Sequence, residues 1–310
     1  MRGDSVNGDL DARLERWRVD ASEASHVLFA ELMALPAMPA AMRQLSSGML
    51  ALAGCDKGFD GISKDIGRTA ATGLAMYLHA SGGLTLPRLK QVCAATGILS
   101  PGRARAVLLY LRFLRYVEPA EPEGRVARYA PTAALWDSWR QMMIMTIEAA
   151  QLLEPGVMLM ANRAGDPATL LALSRVIGQT AMGLARLGEK ENPFWRVFLN
   201  RYAGMQILHR LMLAARQGEL YPPDGALPFS VTDLAQEFRV SRPHVTRMFQ
   251  AAEREGLVIF EGKNSVRLQA YLRESIRYSL GLRLATTIFA VATVRAELPE
   301  AEPDFVAELA

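Results

Sequence analysis

The sequence predicts a mainly helical protein in which one arrangement of helices and a small hairpin occurs twice. Apolar residues recur at helical spacing along most of the chain, and strand-like alternation is confined to about 116–130 and about 257–269. Each of these stretches follows two short helical patterns and precedes a long apolar one, at about 133–153 and about 270–296. The copies lie about 140 residues apart, which is too long for a solenoid unit, so we expect two duplicated domains.

Composition sets the broad class. The chain has 310 residues, of which 50% are apolar, and this suffices for two domains with their own cores. Cys55 and Cys93 are far apart and lack metal-ligand spacing, so we expect buried thiols in a reducing, cytoplasmic location. The polar N-terminus does not resemble a signal peptide. The apolar stretch 278–294 contains Arg283 and is shorter than the roughly 20 residues that span a bilayer, so we expect a packed helix and no membrane.

Domain boundaries are predicted from Gly and Pro residues that interrupt the helical pattern. We expect an N-terminal half over residues 1–155, a C-terminal half over 156–297 and an acidic flexible tail over 298–310. The seam between the halves is placed in the Gly- and Pro-containing stretch 154–167, because these residues interrupt helical periodicity.

The second copy contains a well-defined helix in VSRPHVTRMFQAAEREGLVIF, residues 240–260. Ser241 is the expected N-cap, Pro243 suits a first turn, and Gly256 is the expected end. The apolar positions with helical spacing are Val245, Met248, Phe249 and Ala252, which form one inward stripe. The preceding VTDLAQEF predicts another short helix capped by Thr232. Two short helices, a tight turn and a hairpin make the winged helix-turn-helix pattern, in which the hairpin is the wing.

The stretch VTDLAQEFRVSRPHVTRMFQAAEREGLV resembles the helix-turn-helix of bacterial transcription regulators of the MarR and cyclic-AMP-receptor families, over residues 230–269. Across the whole chain, the duplicated order resembles two MarR-like subunits fused in one polypeptide. The resemblance implies two winged helix-turn-helix domains with long flanking helices, which act as an intrachain pseudo-dimer on double-stranded DNA. Many such regulators have a Glu where this chain has Pro243, so their base preference does not carry over.

The resemblance also implies a small aromatic effector, bound between the dimerising helices and the DNA-binding lobes. The methionine-rich stretch QMMIMTIEAAQLLEPGVMLM is either an adaptable pocket for such an effector or ordinary core packing. The 270–296 helix is apolar enough to form a homodimer or to pack within the chain.

The outward face of the second predicted recognition helix is rich in hydrogen-bonding side chains. An α-helix fits the major groove of B-DNA, where Arg pairs with guanine and Gln with adenine, and wing residues reach phosphate or the minor groove. The predicted contacts are Arg242, His244, Thr246, Arg247 and Gln250 on the helix, with Lys263 and Arg267 on the wing.

The first copy repeats this frame with a different surface. Ser100 and Pro101 repeat the cap and first turn, and Val107, Leu108 and Leu111 repeat the apolar stripe. Between residues 84 and 117 there are six Lys or Arg and no acid, which favours phosphate contacts. The predicted contacts are Arg103, Arg105, Arg112, Arg125 and Arg128. The acids of its wing, Glu118, Glu121 and Glu123, would repel phosphate. This copy therefore either holds the DNA backbone without base contacts or does not touch DNA.

Other chemistry is not expected. The histidines His26, His79, His209 and His244 lack metal-ligand spacing, and the acidic stretch 56–67 ends on Gly67 where a calcium loop needs Glu. There is no nucleophile–base arrangement and no phosphate-binding Gly loop, so we expect no metal, cofactor or enzymatic activity. Two other functions stay open: a plasmid replication initiator with tandem winged helices, and a protein-interaction scaffold.

Overall fold

A computed structural model describes residues 29–185, 192–216 and 220–297. The protein is mainly helical, with 69% helix and 9% strand, as the sequence predicted. Two small sheets of three strands each accompany the helices in the described part. The predicted tail at 298–310 lies outside the described residues, and so does His26.

The helices and strands follow the chain in two runs. The first run contains α1 (Met38–Cys55), α2 (Lys57–Ser63), α3 (Ile66–Ala80), β1 (Leu84–Thr85), α4 (Leu86–Ala95), α5 (Pro101–Phe113), β2 (Val117–Glu123), β3 (Val126–Pro131) and α6 (Ala133–Ala150). The second contains a 3-10 turn (Pro155–Val157), α7 (Met158–Arg163), α8 (Pro167–Ala185), a π-helical turn (Trp195–Leu199), α9 (Gly204–Leu213), β4 (Ala226–Pro228), α10 (Val231–Glu237), α11 (Arg242–Arg254), β5 (Val258–Phe260), β6 (Ser265–Leu268) and α12 (Ala270–Glu297).

One order of elements occurs twice, in α3 to α6 and in α9 to α12, which we call the first and second copies. Each copy has a helix, a short strand, two helices, two strands and a long helix. The antiparallel strand orders are equivalent, β1-β3-β2 and β4-β6-β5. The sequence predicted both hairpins but not β1 and β4, because strands of two and three residues are too short for a periodic pattern.

The copies use the same local chemistry to begin and end α5 and α11. The hydroxyls of Ser100 and Ser241 accept hydrogen bonds from backbone N–H groups, at 3.3 Å and 3.2 Å. Both predicted caps are therefore confirmed. After each helix one residue is left-handed, Arg115 with φ 57° and Gly256 with φ 66°. Glycine adopts this conformation at little cost, whereas the Arg115 side chain makes it less favourable.

Two local predictions are wrong. The N-cap of α10 is Ser230, whose hydroxyl accepts from the Asp233 N–H at 3.2 Å, because Thr232 is already inside the first turn. Cys93 is buried as expected, but Cys55 is exposed, since it is the last residue of α1.

Two hydrophobic cores support the copies. The smaller core is built from α1 to α6 and α8, and the larger one joins the second copy to α1, the end of α6 and α7. In the larger core, the predicted stripe of α11 is at most 1% exposed, with Val245, Met248 and Ala252 at 0% and Phe249 at 1%. The stripe of α5 is also buried, at Val107, Leu108 and Leu111. Both stripes are confirmed.

The stretch 154–167, where the sequence placed a seam, is mostly helical. Val157 and Met160 are buried in the larger core. The following helix, α8, packs against α3 of the first copy and α12 of the second. Trp139 of α6 donates a hydrogen bond to Ser174 of α8 at 2.9 Å. The copies are therefore joined by packed helices.

Among the described helices, α12 is the one whose length and mean hydropathy of 1.2 would allow it to cross a membrane. Inside the protein, 67% of its most apolar window is buried. A core helix has the same properties, so this feature is weak evidence for a membrane span.

Candidate nucleic-acid interface

The outward face of α11 is open to solvent. Arg242, Arg247 and Gln250 are exposed, and Thr246 is half-buried. Within the described part of the chain, no hydrogen bond or ion pair holds the Arg242 or Arg247 guanidinium. The buried stripe holds the opposite face, so α11 presents a hydrogen-bonding ridge whose two arginines are available to a ligand.

His244 differs from its neighbours on α11. Its Nε2 lies 2.9 Å from the carbonyl oxygen of Tyr202, so a proton on Nε2 is donated to this carbonyl. The ring thus ties the start of α11 to the turn that precedes α9. A DNA contact by His244 would have to replace this intrachain hydrogen bond.

The hairpin of the second copy carries the two other predicted contacts. Lys263 is exposed at its tip, beside Gly262 with φ 80°. Arg267 pairs with Glu261 across the hairpin at 2.7 Å, with the two side chains 48% and 36% exposed. Exposed ion pairs contribute about 0–1 kcal/mol, so a phosphate can compete for Arg267 at small cost.

The surface of α5 is mixed in character. Arg105 is exposed, whereas the Arg103 guanidinium lies 3.4 Å from Asp65. The Arg112 guanidinium lies 5.6 Å from the centroid of the Tyr129 ring, in a cation–π arrangement. Two large apolar side chains share this surface, Leu109 at 48% and Phe113 at 82% exposure. Arginines and exposed apolar groups therefore alternate on α5, unlike on α11.

The hairpin of the first copy contributes one exposed arginine and one that is held by the chain. Arg125 is exposed. Arg128 is half-buried and donates to the Gly82 carbonyl at 3.1 Å, which ties β3 to the loop before β1. Glu118 and Glu121 are exposed, and the Glu123 side chain lies outside the described part of the protein.

A cluster between the copies links α5 and α11 to a common segment, and no pattern in the sequence predicted it. The Ala203 N–H donates to the Lys64 carbonyl at 2.7 Å, and the Lys64 ammonium lies 6.0 Å from the centroid of the Tyr202 ring. One turn later, the Arg68 guanidinium lies 4.3 Å from the centroid of the Tyr110 ring on α5. The Tyr202 carbonyl in turn is hydrogen-bonded to His244, so α5 contacts the segment around residues 64–68 directly and α11 is linked to it through Tyr202.

Two of the three acids in the stretch 56–67 cap helices, and the third, Asp60, pairs with Lys64. Asp56 accepts from the Gly58 and Phe59 N–H groups at 2.8 Å and 3.2 Å, and Asp65 accepts from the Arg68 N–H at 3.0 Å. Burial disfavours the Asp56 carboxylate, but hydrogen bonds from Tyr116 and Ser138 outweigh it and keep the Asp56 pKa below its usual value. These acids are engaged in the fold of the first copy.

No group of three or more His, Cys, Asp and Glu that could hold a metal occurs in residues 29–185, 192–216 and 220–297. Comparisons of the chain with models of protein families, with curated proteins and with solved structures find no match.

Proposed function

We propose that this protein is a sequence-specific DNA-binding transcription regulator, in which the two copies are winged helix-turn-helix domains that act as an intrachain pseudo-dimer. One observation carries the proposal: α11 buries its whole apolar stripe and leaves Arg242, Arg247 and Gln250 on the opposite, exposed face. A helix of this kind fits the major groove, where Arg and Gln side chains pair with guanine and adenine edges.

The order of elements supports the same function. In each copy two helices joined by a tight turn precede a two-stranded hairpin, as in winged DNA-binding domains. The likeness of residues 230–269 to MarR-like regulators agrees with this order and with action in the bacterial cytoplasm. A two-fold arrangement of the copies would place α5 and α11 about one DNA turn apart, roughly 34 Å.

The two copies have different roles on DNA in this proposal. The α11 face supplies base contacts, since it offers both Arg and Gln. The α5 face, with Arg105 exposed and no amide side chain on its outward surface, supplies phosphate contacts. The operator is therefore expected to be asymmetric, with a strong sequence requirement on one side.

Selection of bound duplexes from a random DNA pool tests this function and identifies the operator. A single asymmetric site is the expected result. Directly repeated sites would favour a replication initiator, and two identical half-sites would contradict the pseudo-dimer. Failure to enrich any sequence would overturn the proposal.

Replacement of Arg247 tests the base contact. Arg247→Ala is expected to cost about 1–3 kcal/mol on the selected duplex and to relax the sequence preference. Arg175→Ala is the matched control, because it removes the same charge from α8, where Arg175 pairs with Glu297 at 2.5 Å. Equal losses for Arg247→Ala on selected and random duplexes would exclude Arg247 as a base contact.

The exposed apolar groups of α5 favour one second candidate, a protein-interaction scaffold. Phe113 at 82% and Leu109 at 48% exposure are side chains typical of a protein partner surface. Under that function the double variant Arg242→Ala, Arg247→Ala keeps its biological activity, whereas a DNA-binding regulator loses it.

A further inference from the structure

A cavity lies between the two copies, and it has not entered the proposed function. Its walls come from α1, α2, α3, α6, α9 and α12, and its mouth is open to solvent. Most of the lining is flexible or aliphatic, with four methionines: Met49, Met142, Met145 and Met205. Thioether side chains adapt to the shape of an apolar ligand.

One wall of the cavity contains a cation without a counter-ion. The half-buried Arg283 side chain lines the cavity, and its guanidinium makes a weak contact, 4.0 Å from the Met49 sulfur. Among the described residues no carboxylate lies within ion-pair distance of Arg283. Burial lowers the pKa of Arg283 to about 10, so the group stays charged at neutral pH. A charge in such surroundings is costly unless an anion pairs with it.

An unsatisfied imidazole lines the same cavity. His209 is fully buried, and its Nδ1 lies 2.9 Å from the Ser46 hydroxyl oxygen. Its Nε2 is buried and has no hydrogen-bond partner. Burial, together with the nearby charge of Arg283, lowers the pKa of His209 to about 3, so the ring is neutral. When the Ser46 hydroxyl donates to Nδ1, the single ring proton lies on Nε2 and lacks an acceptor.

We propose that this cavity binds a small aliphatic monocarboxylate. Its carboxylate pairs with the Arg283 guanidinium and accepts the Nε2–H of His209, and its hydrocarbon part packs among the methionine, leucine and isoleucine side chains.

The lining decides the class of ligand. Two other cations line the cavity: Lys64 is already paired with Asp60 at 2.5 Å, and Arg201 is exposed to solvent. Arg283 is therefore the more enclosed of the two unpaired guanidinium groups in the lining, and it suits a single negative charge. Phe59 is the one aromatic ring besides His209 among the lining residues. An aliphatic body therefore fits better than the aromatic effector implied by the family resemblance.

The position of the cavity links it to both copies. Phe59 and Met142 belong to the smaller core, whereas Leu280 belongs to the larger one. Lys64 lines the cavity and contacts the Tyr202 ring, and Tyr202 holds His244 on α11. A ligand that shifts these contacts would change the placement of α11. This regulatory use rests on the proposed function, whereas ligand binding itself does not.

Calorimetry with octanoate and with 1-octanol tests the site. Octanoate is expected to bind the full chain at one site, and Arg283→Met is expected to weaken its binding about ten- to a hundredfold, since a charge-assisted hydrogen-bonded pair is lost. Binding of 1-octanol is expected to be similar in both proteins. Arg277→Met is the matched control on α12, because Arg277 pairs with Glu274 at 3.6 Å and does not line the cavity.

Equal octanoate affinity in the wild type and in Arg283→Met would overturn the assignment of the carboxylate to Arg283. Tighter binding of benzoate than of octanoate to the wild type would overturn the inference that the hydrocarbon part of the ligand is aliphatic. Since methionine has a similar unbranched shape and no charge, we expect Arg283→Met to fold, and circular dichroism checks this.

A measurement on the unmodified sequence gives an independent test. In the wild type labelled at the methionine methyl groups with carbon-13, octanoate is expected to shift the resonances of Met49, Met142, Met145 and Met205. Met248 on α11 is buried but does not line the cavity, and its resonance is expected to stay unchanged. Shifts confined to other methionines would exclude the cavity as the site.

A final titration separates binding from regulation. Octanoate is expected to change the affinity of the wild type for its selected duplex and to have no effect on Arg283→Met. Octanoate binding without any change in DNA affinity would overturn the regulatory role and keep the site. If the protein binds octanoate but enriches no DNA sequence in the selection, the proposed function is overturned and the ligand site stands.

Discussion

Stability is expected to fall as the solution becomes acidic, because the imidazole of His209 is buried in its neutral form. The side chain is 0% exposed, and burial lowers its pKa to about 3. In an unfolded chain the pKa of histidine is about 6.5. Between these values the unfolded state binds a proton that the native state does not. The contribution is therefore fully present above about pH 6.5 and is lost progressively as the pH falls towards 3.

The size of the loss follows from this proton. Each pH unit below about 6.5 lowers the free energy of unfolding by about 1.4 kcal/mol, which amounts to about 2 kcal/mol at pH 5. His209→Leu removes the titrating group, so the variant is expected to lose about 2 kcal/mol less than the wild type over this interval. The broken contact with Ser46 affects the variant at every pH and does not alter the slope.

Urea unfolding followed by circular dichroism, at about pH 7.5 and about pH 5, measures this difference. His79 also has a lowered pKa, because it is partly buried and near Arg128, but it is present in both proteins and cancels in the comparison. If the wild type and His209→Leu lose the same stability between the two pH values, then the imidazole is not buried in its neutral form.

Two further predictions concern α11 and α5. Phe249→Ala is expected to cost about 3–5 kcal/mol in urea unfolding, because the ring is buried and lies 4.6 Å from that of Phe229; a cost under about 1 kcal/mol would contradict the packing of α11. Arg105→Ala is expected to weaken binding to selected and random duplexes equally. It is also expected to reduce the slope of log affinity against log salt by about 0.9, since one phosphate contact is lost. Arg103→Ala is expected to change the slope less, because Arg103 already lies 3.4 Å from Asp65. Unchanged slopes in both variants would exclude α5 from the interface.

Local features of the fold were predictable because they depend on neighbouring residues. A hydroxyl before a helix accepts one of its free N–H groups wherever it occurs, and this is why Ser100 and Ser241 were recognised as caps. Apolar residues at helical spacing lie on one face whatever they pack against, which is why the stripe around Phe249 was correctly expected to be buried. The short strands β1 and β4 exist only through pairing with β3 and β6, and so they carried no local signal.

The candidate interface was predictable in part. Exposure of Arg242 and Arg247 follows from the periodicity of α11 alone. His244 is hydrogen-bonded to the Tyr202 carbonyl and Arg128 to the Gly82 carbonyl, and these partners lie 42 and 46 positions apart in the sequence. Such pairs cannot be inferred from spacing, because the chain must first bring distant segments together.

By itself, the sequence determined the helical class, the two copies with their caps and buried stripes, and the hydrogen-bonding face of α11. Only the tertiary structure decided the surroundings of two polar side chains, Arg283 and His209. From the sequence, both lie on ordinary apolar helices. Burial depends on which helices pack around a side chain, and here α1, α2, α6, α9 and α12 together line one cavity. Their surroundings leave the Arg283 guanidinium without a counter-ion and keep the His209 imidazole neutral, and no local sequence pattern predicts these surroundings.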